Sequence, residues 1–348
     1  LSNYVAVSPD CCGSKYRNIE AYMKNKINLT SLLVIVLSAS YANGAENYVP
    51  PKTSFGVPDV QGIWTYETRT SLQRPEIYGG QLEIDEETML ATMISTEEYN
   101  EFLAETGAEG PTGGAVGAYN DFWFAPGNAL AFMDGMYRTS LIIDPADGQI
   151  PWKDGGQEIR QAQREGLLMG RDRSDGPEGR GLADRCLVSY ASTMPFVSSF
   201  YNNNMQIVQS PTHVMLLAEM VHNVRVVRID QDFRNLPFKQ WLGDSIGYYE
   251  GDTLIVVTKD FNPWQIKEYL ISENVTLTER FTRIADDRIN YSFTIDDPEL
   301  YSQPWTAEMP MTSLNEQMYE YACHEGNYSL PAILAGARRG EMDEAASQ

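Results

Sequence analysis

The chain has 348 residues, 43% hydrophobic and 21% charged, a globular composition that excludes wholesale disorder and leaves ample length for a core. Lys and Arg number 26 against 48 Asp and Glu, a net charge of −22. That sign repels phosphate backbones and anionic headgroups, which argues against nucleic acid or a lipid surface as partner.

In chain order, Met23 is followed by Lys24 and Lys26, then by the apolar run Leu29–Leu37, too short to span a bilayer. Small residues close the run, with cleavage expected after Ala42 or Ala45. Residues 23–45 therefore read as a signal peptide; a retained N-terminal anchor is the alternative. Residues 1–22 precede the natural start at Met23 and read as upstream translation. Without residues 1–45, Cys11 and Cys12 are gone and Cys186 and Cys323 remain. Two cysteines in an exported chain imply one disulfide, against the alternative of two buried thiols. Residues 46–58, with Pro50, Pro51 and Pro58, read as a tether. One β-rich domain is expected over 59–340, with 341–348 as a tail.

Val60–Glu67 reads as a first strand. Ser95 and Glu98 form a capping-box pair that predicts a helix over 95–105, followed by a glycine-rich loop at 106–118. Tyr119–Phe124 and Tyr137–Ile143 are β-branched and aromatic, as strands are. Gln157–Met169 is a second helix, and Gly170–Asp184 an exposed loop. From residue 205 the pattern is almost wholly strand: Met205–Gln209, His213–Met220, Val224–Ile229, Thr253–Thr258, Val275–Arg283, Ile289–Ile295, Trp305–Met309 and Met318–Cys323, separated by turn chemistry such as Glu250-Gly251-Asp252. In 289–295, Ile289, Tyr291, Phe293 and Ile295 alternate with Asn290, Ser292 and Thr294, one dry face and one wet. A final helix is expected at 330–339, with Pro331 in its first turn.

No crossover helix separates these strands, so antiparallel pairing is expected. So many strands must hide their edges. The fold class is mainly β: an antiparallel β-barrel or strongly curved β-sandwich with a few short helices. Gly62-Ile63-Trp64 resembles the Gly-x-Trp that opens lipocalin-like barrels.

Further stretches carry a broader resemblance: Tyr201-Asn-Asn-Asn204, Trp241-Leu-Gly-Asp-Ser245, Glu250-Gly-Asp-Thr-Leu-Ile-Val256, Glu279-Arg-Phe-Thr-Arg283, Pro304-Trp-Thr306 and Tyr319-Glu-Tyr-Ala-Cys-His-Glu-Gly-Asn327. Over residues 58–340 the chain resembles a large family of uncharacterised exported proteins of Gram-negative bacteria. That resemblance implies a periplasmic or extracellular location and a β-rich fold, and supplies no catalytic assignment.

The chemistry-bearing residues are sparse. Among three histidines, His222 with Glu219, and His324 with Glu325, are the densest ligand-type groups. They suit a divalent metal such as Zn²⁺, with His222 and His324 as ligands, or a general base oriented by a carboxylate. The plainer reading has them hydrogen-bonding across strands, with Glu219 paired to Arg225 or Arg228. No serine-hydrolase elbow or phosphate-binding loop is present in the sequence. Trp64, Tyr201, Asn203, Arg225 and Trp305 are placed as ligand-binding residues of an aromatic-lined cavity, against simple core filling. Two functions follow: an enzyme acting on a small organic molecule through Glu219, His222, His324 and Glu325, or a non-catalytic ligand-binding protein. Either takes a small-molecule partner, and neither requires membrane insertion of the mature chain.

Overall fold

The computed structural model describes residues 48–93, 127–168, 172–189, 192, 194–199, 202–262, 264, 271–272 and 274–347. The signal segment at 23–45, the helix expected at 95–105, the loop at 106–118, the strand at 119–124 and Tyr201 lie outside them.

Nine strands close into a barrel. They are β1 (Gly62–Thr65), then, after four short strands discussed below, β6 (Asn204–Gln209), β7 (His213–Ala218), β8 (Val224–Ile229), β9 (Asp244–Glu250), β10 (Thr253–Lys259), β11 (Thr276–Ala285), β12 (Arg288–Asp296) and β13 (Trp305–Ser313). They neighbour one another in the order β1-β6-β7-β8-β9-β10-β11-β12-β13, and β1 returns to pair with β13. The predicted alternation sets the inside: Ile289, Tyr291, Phe293 and Ile295 are all fully buried, and cross-strand partners Phe281 and Tyr291, then Tyr291 and Met309, continue the apolar layer around the wall. The described interior is filled by side chains, with Trp64, Trp305 and Tyr291 among the largest.

One pairing departs from the antiparallel expectation. β8 and β9 run parallel, with Val227 opposite Ser245 and Ile229 opposite Gly247. Their connection, residues 230–243, crosses back without a helix. β9 escapes the sequence pattern because its inward positions are Ser245, Gly247 and Tyr249, small or polar where an apolar run is sought. Gly247 is required there: a Cβ would lie 2.8 Å from Val227 Cγ1.

Outside the barrel, β5 (Ile142–Asp144) adds to β13, while β2 (Glu83–Ile84), β3 (Phe132–Met133) and β4 (Met136–Arg138) form a small sheet. The single strand expected at Tyr137–Ile143 is thus two, serving two sheets, with buried Thr139 and Ser140 at the switch. A short helix α1 (Glu86–Thr92) is capped by Asp85, which accepts from Thr88 N at 2.8 Å. Helix α2 spans Gly156–Leu168.

The strand expected at Met318–Cys323 is not formed: residues 314–322 are irregular and α3 (Cys323–Gly326) begins at the cysteine. Side chains take the backbone groups that a strand partner would have taken. Tyr319 N–H donates to Glu219 and Tyr321 C=O meets His222 Nδ1. The last helix, α4 (Ser329–Ser347), runs through residues read as a tail. Cys186 and Cys323 form the expected disulfide, joining a residue ahead of β6 to one beyond β13. No helix among the described residues is long and apolar enough to cross a membrane.

Candidate functional site

Strand β8 carries two arginines on opposite faces. Arg225 shares the inward face with Val227. Its guanidinium forks onto the Glu279 carboxylate, with Nη2 2.9 Å from Oε1, and Nη1 also reaches Thr258 Oγ1 at 3.2 Å. Tyr291 donates its hydroxyl to the same Glu279 oxygen at 2.8 Å and accepts from Phe196 N–H at 3.1 Å. Arg225 also lies over the Phe196 ring at 5.4 Å. Burial, followed by the Glu279 charge, pushes the Tyr291 hydroxyl well above its ordinary value. With Arg225 and Glu279 only 3% and 0% exposed, this cluster is sealed. Arg225, expected at a ligand, is spent on holding the barrel interior.

At the barrel end beside the disulfide, Glu219 lies past the end of β7. The inward face of β7 itself is Val214, Leu216 and Ala218. Neither arginine pairs with it. Its oxygens accept from Asn202 Nδ2 at 2.7 Å, Asn204 Nδ2 at 3.2 Å and Tyr319 N at 3.3 Å. The asparagine triplet thus has a mechanical meaning: two amides hold Glu219, while Asn203 brackets Ser199 through both its amide and carbonyl. Nearby Tyr66 has its hydroxyl pushed up by burial and by the charge of Glu219. The backbone is strained here, with φ of 59° at Val221 and 40° at His222.

His222 is exposed and held to the Tyr321 carbonyl at 2.9 Å. His324 and Glu325 are exposed on α3. Among the described residues no three His, Cys, Asp or Glu side chains come together to hold a metal ion, at His222 and His324 or elsewhere. Trp64 and Trp305 are core residues; Trp64 Nε1 donates to Val60 C=O at 3.1 Å.

Three residues beyond Arg225, Arg228 points outward and builds a different place. It forks onto Asp244 at 2.6 and 3.0 Å, and Arg234 of the crossover loop clamps the same carboxylate through its backbone N–H at 2.8 Å, Nε at 2.9 Å and Nη2 at 2.6 Å. Burial works against the Asp244 charge, but the hydrogen bonds from both arginines win and bring its pKa down to about 2. Over this ion cluster lies a cleft of about 250 Å³, lined by Arg234, Asn235, Leu236, Pro237, Phe238, Lys239, Gln240, Asp244 and Asp260. Gly243 closes the loop at φ 67°, where a Cβ would meet Lys259 C=O at 2.7 Å.

Sequence reasoning missed this cleft. The available signal was a polar, helix-free connection between two strand runs, longer than a hairpin needs and carrying Phe233 and Phe238. Compared with known proteins, the chain matches no protein-family model and no curated sequence.

Proposed function

We propose that the chain is an exported protein that binds a small organic ligand in the crossover cleft without transforming it. The observation that carries this reading is the division of labour among polar groups. Those suited to catalysis are saturated by amides and backbone, as Glu219 is, or stand exposed to solvent, as His222, His324 and Glu325 do. The cleft, by contrast, is an open concavity lined by polar side chains over a hydrogen-bonded ionic floor. Export is supported by the basic-then-apolar segment at 24–45 and by the Cys186–Cys323 bond, which suits an oxidising compartment.

Native mass spectrometry of protein recovered from a Gram-negative periplasm tests both parts. The expected species begins at Asn43 or Glu46. Incubated with a defined mixture of sugars, amino acids, organic acids and amides, it forms a one-to-one adduct and releases the same molecule unchanged. A product of altered mass would make the protein an enzyme. Absence of any adduct would remove the binding role.

A further inference from the structure

We propose that the crossover cleft takes a neutral, polyhydroxylated ligand the size of one sugar ring, an inference that rests on the binding role above and names its ligand class. Size is the first constraint. At about 250 Å³ the cleft falls below the roughly 300–1,000 Å³ of sites for drug-sized ligands, so it suits a single ring.

Charge is the second. Arg234 and Lys239 line the cleft together with Asp244 and Asp260, two side chains of each sign. Asp244 is already consumed by five hydrogen bonds from Arg228 and Arg234. An anionic ligand would meet Asp260, and a cationic one Arg234 and Lys239. Hydroxyl groups both donate and accept. They match a mixed set of guanidinium, amide and carboxylate groups from Arg234, Asn235, Gln240 and Asp260.

The third constraint is the rim. Phe238 stands 62% exposed beside these polar groups. A pyranose presents one face of C–H groups and a girdle of hydroxyls, so it can cover an aromatic ring while its edge hydrogen-bonds. The floor is organised before any ligand arrives. Three groups of Arg234 are fixed on Asp244, so its orientation costs little further entropy on binding. The neighbouring Lys259 ammonium is drawn over the Phe233 ring at 5.4 Å.

The test is saturation-transfer NMR with titration calorimetry on the periplasmic protein, using D-glucose, D-galactose and D-mannose beside glucuronate, glucosamine and leucine. A neutral hexose is expected to bind one-to-one with transfer to its ring C–H protons. Phe238→Ala should weaken it at least about tenfold at unchanged melting temperature, because the ring is exposed, and Phe238→Tyr should retain it. Hexose binding that survives Phe238→Ala would place the sugar elsewhere and overturn the proposal. Preference for glucuronate, glucosamine or leucine would overturn the ligand class while leaving the binding role standing. Silence from every probe, and from the broader mixture above, would remove both.

Discussion

Arg225 and Arg228 sit on one strand, each forked onto a carboxylate, and they do opposite things. Arg225 meets Glu279 inside the barrel among Phe196, Thr258 and Tyr291, with no remaining surface for a ligand. Arg228 meets Asp244 on the outer wall, under a loop that brings Arg234 onto the same carboxylate and leaves that second guanidinium 45% exposed. The chemistry is the same and the context differs. A buried fork is a fastening, whereas a fork roofed by an open loop is a preorganised floor for something else.

The interior fork should be the most costly to break. Glu279→Gln leaves the Arg225 charge buried without its partner, and urea denaturation should show a loss of about 3–5 kcal/mol. Pairing it with Arg225→Met should recover a large part of that loss. If the single variant loses under about 1 kcal/mol, the interior cluster is not the fastening described.

The outer fork should declare itself in acid. The Asp244 pKa lies at about 2 in the folded protein, below its ordinary value of 3.8. A depressed carboxylate contributes stability that is complete above the unfolded value and is lost as pH falls through the folded one. The window is therefore about pH 4 down to about 2, and the contribution about 2 kcal/mol. Asp244→Asn should flatten that part of the acid limb of a stability-versus-pH curve. An unaltered limb would assign the acid sensitivity to other carboxylates.

The smallest effect belongs to the half-exposed partner. Arg234→Ala leaves Arg228 on Asp244, so thermal unfolding should register a loss of about 0–1 kcal/mol. A loss as large as that of Glu279→Gln would mean that the two forks are equally structural.

The barrel was legible in the sequence where apolar alternation is strong. β12 could be read from Ile289 to Ile295 because every inward position is apolar and every outward one polar. β9 could not, because its inward face meets the polar Arg225 cluster: Ser245 bonds Thr258 at 2.8 Å, and Thr258 bonds Arg225. The segment before Cys323 was misread for the complementary reason. Tyr319 and Tyr321 alternate as strand residues do, but their backbone groups answer to Glu219 and His222. The disulfide followed from counting cysteines. The cleft did not, because it arises from a parallel crossover that brings Asp260 beside residues 234–240, a juxtaposition no local pattern encodes.

The disulfide also decides what a single peptide-bond break can do. Cys186 lies ahead of β6 and Cys323 beyond β13, so eight of the nine barrel strands lie inside a covalent ring and β1 alone lies outside it. Exposed loop tips are where proteases cut. One cut anywhere between the two cysteines, the crossover loop included, opens the ring without releasing any fragment, because both pieces stay joined through sulfur. One cut between β1 and Cys186 is different: it leaves β1 attached to its neighbours only by hydrogen bonds and packing. The chain is therefore tolerant of nicking around the cleft and vulnerable in the stretch that leads from β1 to the first cysteine.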